Sequence, residues 1–335
     1  MVKISSKLVD KETNHSSHPK GSYKQFLDEQ APAETLASER LYEKVDGIEA
    51  TEKLWNLKGC RQTAWFVRHE ESGEVRIASK KCHLRWCFHC AESRQAFITS
   101  QVTPWWSTTK FPKLLTVTLK HTSAPLADQI QLLYRSFSKL RNRSLMKNRC
   151  IAGVWFFQIT RNHKTNTWHP HLHALIDSGF LKIQELAKQW YEITNGSSQV
   201  HIKAVQDKLK TLTHHARYAA RPSSLVDLDD AEAMELYDAF KNRRIVGAWG
   251  KAKAISFRQV KPVDSELWQN IGTWAYVFAQ VGHDMRADRI VFAWGTGGKL
   301  EDDNSLYRKE NGNEEMEMDD APEKIPKREI QSTLF

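Results

Sequence analysis

Between residues 111 and 225 the spacing of apolar side chains switches repeatedly between the period of a strand and that of a helix. Residues 114–120 (LLTVTLK) are rich in β-branched types and predict a strand. Leu126, Ile130, Leu133, Phe137 and Leu140 then fall on one face of a helix over 126–140. Residues 153–160 (GVWFFQIT) predict a second strand, and the polar turn 161–166 leads into a third, 168–177 (WHPHLHALID), as a hairpin. A helix over 183–193, a strand over 199–205 and a helix over 207–220 complete the series. The order β-α-β-β-α-β predicts an α+β fold. Its core is a ferredoxin-like, split β-α-β sheet of antiparallel strands with helices on one face.

The flanks read differently. Residues 1–50 are polar, with one short helix expected near 34–44, and residues 301–335 are acidic with few large apolar side chains before the last five. Both termini read as disordered. The expected division is a polar arm (1–50), a cysteine-rich zinc-binding region (51–110) and a core (111–225). An extension packed on the core (226–300) and an acidic tail (301–335) follow.

Charge sharpens this division. The 335 residues carry 49 Lys and Arg against 40 Asp and Glu, a net of +9. The first 50 residues are net −2 and the last 35 net −6, which leaves 37 basic and 20 acidic side chains, net +17, for residues 51–300. So basic a centre suits a surface that meets a polyanion such as nucleic acid; the plain alternative is a basic surface with no partner. At 40% hydrophobic residues the chain can bury a core, which excludes global disorder. No apolar run approaches the ~20 residues of a membrane span, and the first residues lack the apolar stretch of a signal peptide. A cytoplasmic protein with no membrane partner is expected, in which five cysteines act as metal ligands or core residues more readily than as disulfides.

Two clusters carry candidate chemistry. In His169-Pro170-His171-Leu172-His173 the strand alternation puts His171 and His173 on one face, ~7 Å apart, with Leu172 facing the other way. Two imidazoles so placed can chelate a divalent metal, and Gln158 on the preceding hairpin strand is the candidate third ligand. The plain alternative is a pair of surface histidines. Cys82, Cys87 and Cys90 form C-x4-C-x2-C, and Cys60 lies 22 residues upstream. These four suit a structural Zn²⁺ site, with His83 or His89 as substitute ligands; the plain alternative is small core residues. Arg85 beside the cysteines, Arg141 and Arg143 after the 126–140 helix, and Arg244 near Trp249 are candidate DNA contacts.

These segments resemble a known family. WHPHLHALI (168–176) is similar to the histidine–hydrophobe–histidine motif of the HUH endonucleases, specifically of the initiator (Rep) proteins of rolling-circle plasmids. LLTVTLKH (114–121) resembles that family's first motif, HHARYAARP (214–222) its tyrosine motif, and CHLRWCFHC (82–90) its upstream cysteine cluster. The resemblance spans roughly residues 55–260 and implies an HUH nuclease core. It implies a metal-dependent enzyme that nicks one strand at an origin, leaving a 5′-phosphotyrosine and a free 3′-OH, and later rejoins the strand. Tyr218 would be the nucleophile, with Arg217 and Arg221 flanking it. His171, His173 and Gln158 would hold Mg²⁺ or Mn²⁺. Some members carry a glutamate one turn before the tyrosine; here that place belongs to His214, a candidate general base.

Partners follow from the same reading. No G-x4-GK[ST] phosphate loop is present, so a host helicase would unwind the DNA for the host polymerase. The final QSTLF resembles the short peptides that dock on the sliding clamp, with Gln331, Leu334 and Phe335 as contacts. The rival readings are an HUH-type single-strand transposase and a non-enzymatic zinc-containing DNA-binding regulator. The latter leaves the coincidence of His171, His173 and Tyr218 unexplained.

Overall fold

The computed structural model describes residues 21–30, 32–221, 225–258 and 267–301. Among them the strands are β1 (Ala64–His69), β2 (Val75–Ser79), β3 (Pro112–Thr118), β4 (Cys150–Asn162), β5 (Thr167–Ser178), β6 (Val200–Ala204), β7 (Val246–Gly250) and β8 (Trp268–Thr273). The helices are α1 (Tyr23–Gln30), α2 (Pro32–Lys44), α3 (Ile48–Gly59), α4 (Phe88–Thr108), α5 (Leu126–Asn142) and α6 (Ser144–Arg149). They continue with α7 (Ile183–Thr194), α8 (Lys208–Ala220), α9 (Asp230–Ala239), α10 (Trp274–Gln280) and α11 (Met285–Thr296). The chain forms two compact units, one from residues 33–55 and 83–258, the other from 21–32, 56–82 and 267–301.

The first unit is built on a sheet of order β6-β3-β5-β4-β7, antiparallel at every join. Taken alone, β3 to β6 reproduce the expected split β-α-β arrangement, with α5 crossing between β3 and β4 and α7 between β5 and β6. The expectation of helices on one face is corrected, because both faces are covered. Leu114, Val154, Phe156 and Leu175 pack against Ile98, Val102 and Trp106 of α4 and Leu212 and Ala216 of α8. On the other face Tyr134 of α5 meets Trp155 and Phe157 at 5.3 and 5.7 Å between ring centres, and Trp190 of α7 donates to Thr118 O (2.8 Å). The cause is visible in β4. Val154 and Phe156 point one way and Trp155 and Phe157 the other, so neither face can be left to water.

Little in the sequence announces β7, a five-residue strand with two glycines. Its pairing with β4 sets Gly153 opposite Trp249 and Trp155 opposite Gly247. A Cβ on Gly153 would fall 2.1 Å from the Trp249 ring, and one on Gly247 2.6 Å from the Trp155 ring. Each indole thus lies over a glycine of the neighbouring strand.

In the second unit β1 pairs antiparallel with β2 and with β8. Phe66 and Ile77 pack with Ile271, Trp274 and Trp294, and the rings of Tyr23 and Phe26 in α1 stand 4.7 and 5.4 Å from Trp274. Gln331, Leu334 and Phe335 lie outside the described residues. Among the described residues no helix is long and apolar enough to cross a membrane.

Candidate functional site

The hairpin register places the metal candidates. Gln158 stands opposite His171 across β4 and β5, while Thr118 and Thr116 of β3 stand opposite His171 and His173 on the other side. His171 Nδ1 donates to His169 O (3.0 Å), so Nε2 of the neutral ring carries a lone pair. That nitrogen lies 3.1 Å from Gln158 Oε1, another acceptor. Two lone pairs converging in a half-buried site form a donor set for a divalent cation, and the bond from Nδ1 fixes the ring in the ligating tautomer. His173 is held similarly, with Thr116 Oγ1 2.9 Å from its Nδ1. The residues present therefore fit the metal that the motif implies.

Helix α8 brings the tyrosine to this face. Ring centres run from His171 to His173 (4.9 Å) and from His173 to His215 of α8 (4.4 Å). They continue from His215 to His214 (5.0 Å) and from His214 to Tyr218 (4.7 Å). Tyr218 is exposed, whereas His215 is buried and its Nδ1 has no hydrogen-bond partner. Burial, reinforced by His215 and His171, pushes His173 down to about 2. Burial and His214 push His215 down to about 4, and burial also lowers His171. All three imidazoles are neutral near pH 7, as metal ligation and packing among like groups require.

The C-terminal end of α8 is tied to α4. Arg94 donates to Ala220 O (3.3 Å), Arg85 O (3.1 Å) and Leu84 O (3.1 Å), satisfying a carbonyl that the helix end leaves open. Arg221 pairs with Glu92 and lies over the Phe88 ring at 5.3 Å, so protein contacts engage its guanidinium. Sequence reasoning missed the packing roles of His215 and Arg94. The first stood out only by its place beside His214, and the second only as a basic residue near the cysteines, able to offset their charge or meet phosphates.

The candidate DNA-contact arginines do not share one environment. Arg217 and Arg244 are exposed. Arg143 is exposed, with Glu192 at 3.8 Å. Arg85 donates to Arg243 O (3.0 Å) and stacks on Phe240, and burial lowers it to about 10. Arg141 lies over Phe137 and Trp249 at 5.3 and 5.2 Å. Arg85 and Arg141 are thus held by packing, while Arg217 and Arg244 present free faces to solvent.

Of the four cysteines, Cys60 and Cys82 lie in the second unit and Cys87 and Cys90 in the first, and none is in a disulfide. As a set of four thiols they could hold a metal such as zinc. Cys82 N–H points at Cys60 Sγ (3.5 Å). Cys150 stands apart, its thiol pushed up to about 12 by burial.

An antiparallel ferredoxin-like sheet bearing two histidines on one strand, with a tyrosine on the following helix, is consistent with the HUH endonuclease class. The chain belongs to the Rep family of replication proteins, whose family model, described as "Replication protein", matches residues 74–299. It is 25% identical over 227 residues to "Protein rep" of Streptococcus pneumoniae serotype 2 (strain D39 / NCTC 7466), covering 60% of this chain and 70% of that protein. It is 23% identical over 249 residues to "Protein rep" of Bacillus amyloliquefaciens, covering 61% and 72%. A "Protein rep" of Bacillus sp is 26% identical over 151 residues, 41% of this chain and 47% of the relative. Comparison with solved structures gives no match. These relatives support a role in plasmid replication.

Proposed function

We propose that the chain initiates rolling-circle replication by cutting one strand of its origin with Tyr218. The supporting observation is the row of rings from His171 through His173, His215 and His214 to Tyr218, which sets the tyrosine helix across the two-histidine face. His171, His173 and Gln158 would hold Mg²⁺ or Mn²⁺. Such an ion, when bound, polarises the phosphate and offsets charge developing on it. The Tyr218 oxygen attacks phosphorus, the P–O3′ bond breaks, and the strand leaves with a free 3′-OH. His214, one turn before Tyr218 with its ring 4.7 Å from the tyrosine ring, would take the phenolic proton, pass it to the departing O3′, and in the terminating step activate water. Reversal, with a 3′-OH attacking the phosphotyrosine, rejoins the strand. The cysteine group would hold structural zinc, and Arg217 and Arg244 would meet phosphates. Host helicase and polymerase would extend the primer, with the Gln331–Leu334–Phe335 tail docking on the sliding clamp.

The test is incubation of the full chain with a labelled single-stranded origin oligonucleotide and Mn²⁺ or Mg²⁺, followed by mapping of the labelled tyrosine. Tyr218→Phe is expected to lose the covalent adduct while keeping DNA affinity within about twofold. An adduct that persists in that variant overturns the assignment.

A further inference from the structure

Tyr218 lines a cleft of about 250 Å³, small against the ~300–1,000 Å³ of sites that take a whole drug-sized molecule. One wall is the end of β4 that β7 does not reach. Pairing with β7 stops at Phe156, after which Phe157 N–H donates to Ile245 O (2.8 Å). By strand alternation the N–H and C=O groups of Ile159 and Arg161 point the same way, beyond the end of β7 and along the cleft. This edge offers donors and acceptors in alternation, and Trp86, Leu228 and Phe240 supply apolar lining.

The charge of the lining is uneven. Arg85, Arg94 and Arg221 border the cleft but are engaged by the protein contacts described above, and Arg161, also in the lining, pairs with Glu232 (2.6 Å). Asp227, exposed, is the one carboxylate among the lining residues. A carboxylate repels phosphate and accepts hydrogen bonds from N–H donors. Bases carry such donors on their edges, and carboxylates accept from cytosine N4.

We infer that this cleft receives one unstacked nucleobase of the cut strand, next to the scissile phosphate, and that the base bears an exocyclic amino group read by Asp227. The inference rests on Tyr218 acting on DNA as proposed above, and it makes Asp227 a specificity-determining residue. The apolar lining meets the faces of the base and the β4 edge meets its polar rim. The room admits a single base. The competing occupant, a peptide strand pairing with the β4 edge, predicts no dependence on any base.

The experiment first maps the nick with the wild-type chain. It then measures binding of the full-length Tyr218→Phe protein to single strands made abasic at one position at a time around the nick. A single flanking position is expected to cost roughly tenfold in affinity when abasic, the scale of one stacked base. Thymine at that position, which has a carbonyl in place of the amino group, is expected to bind several-fold more weakly than the natural base. Asp227→Ala, an exposed substitution, should erase the thymine discrimination and keep most of the abasic loss. An abasic profile flat within twofold overturns the pocket alone, as does discrimination that survives Asp227→Ala. Absence of any tyrosine adduct in the mapping step overturns the nuclease reading and the pocket with it.

Discussion

His173 and His215 are uncharged at neutral pH because each is buried beside other imidazoles, and that has a thermodynamic cost on acidification. Both are lowered in the folded chain, so below about 6.5, the ordinary histidine value, the unfolded chain binds more protons than the folded one. Stability is therefore full above that pH and falls as pH drops, down to about 4 for His215 and about 2 for His173. Urea denaturation without added Mg²⁺ or Mn²⁺ should give lower stability at pH 5 than at pH 7.5, by on the order of 1–2 kcal/mol per group. Replacing both histidines by asparagine should flatten the difference. At this scale the sequence was legible where chemistry is local. His171 and His173 share a face by strand alternation, and a short hairpin sets Gln158 opposite His171. His215 was not legible, since its role arises from packing of α8 on the sheet. The same holds for Arg221, whose partner Glu92 lies 129 residues away.

Among the elements, α8 decides whether the tyrosine meets the histidines, and its last turn depends on α4. Arg94→Ala removes three hydrogen bonds from a charged donor to carbonyls and should destabilise the protein by about 2 kcal/mol. Nicking by the folded fraction should slow while Mn²⁺ affinity stays within twofold, because no histidine moves with that contact. Lysine should rescue little, since one ammonium cannot span three carbonyls. Stopped-time cleavage assays and Mn²⁺ titration separate these effects. The elements from β3 to α8, apart from the six-residue α6, were legible because each has a strong period of its own. β7 was not, because a glycine-rich strand has little preference of its own and is defined by the partner it lies on.

For the whole molecule, the cysteines and the charge gradient are the features with reach. The four thiols predict one bound zinc per chain by elemental analysis, falling well below one in Cys60→Ser or Cys90→Ser. Chelation should lower the melting temperature, because zinc bound only by the folded chain contributes its affinity to stability. A melting temperature unmoved by chelation would reject zinc as a structural ligand. The Cys82–Cys90 cluster was legible from spacing. The pairing of β8 with β1 was not, since the two strands lie about 200 residues apart in sequence and nothing local announces the partner.

The indoles over glycines also act as a ratchet tooth on the sheet. If β7 slid along β4 by two residues to cover Ile159, Trp249 would come opposite Trp155 and both indoles would leave the glycines they now cover. The fit of each indole over its glycine thus favours the register that leaves the β4 edge beside Tyr218 uncovered.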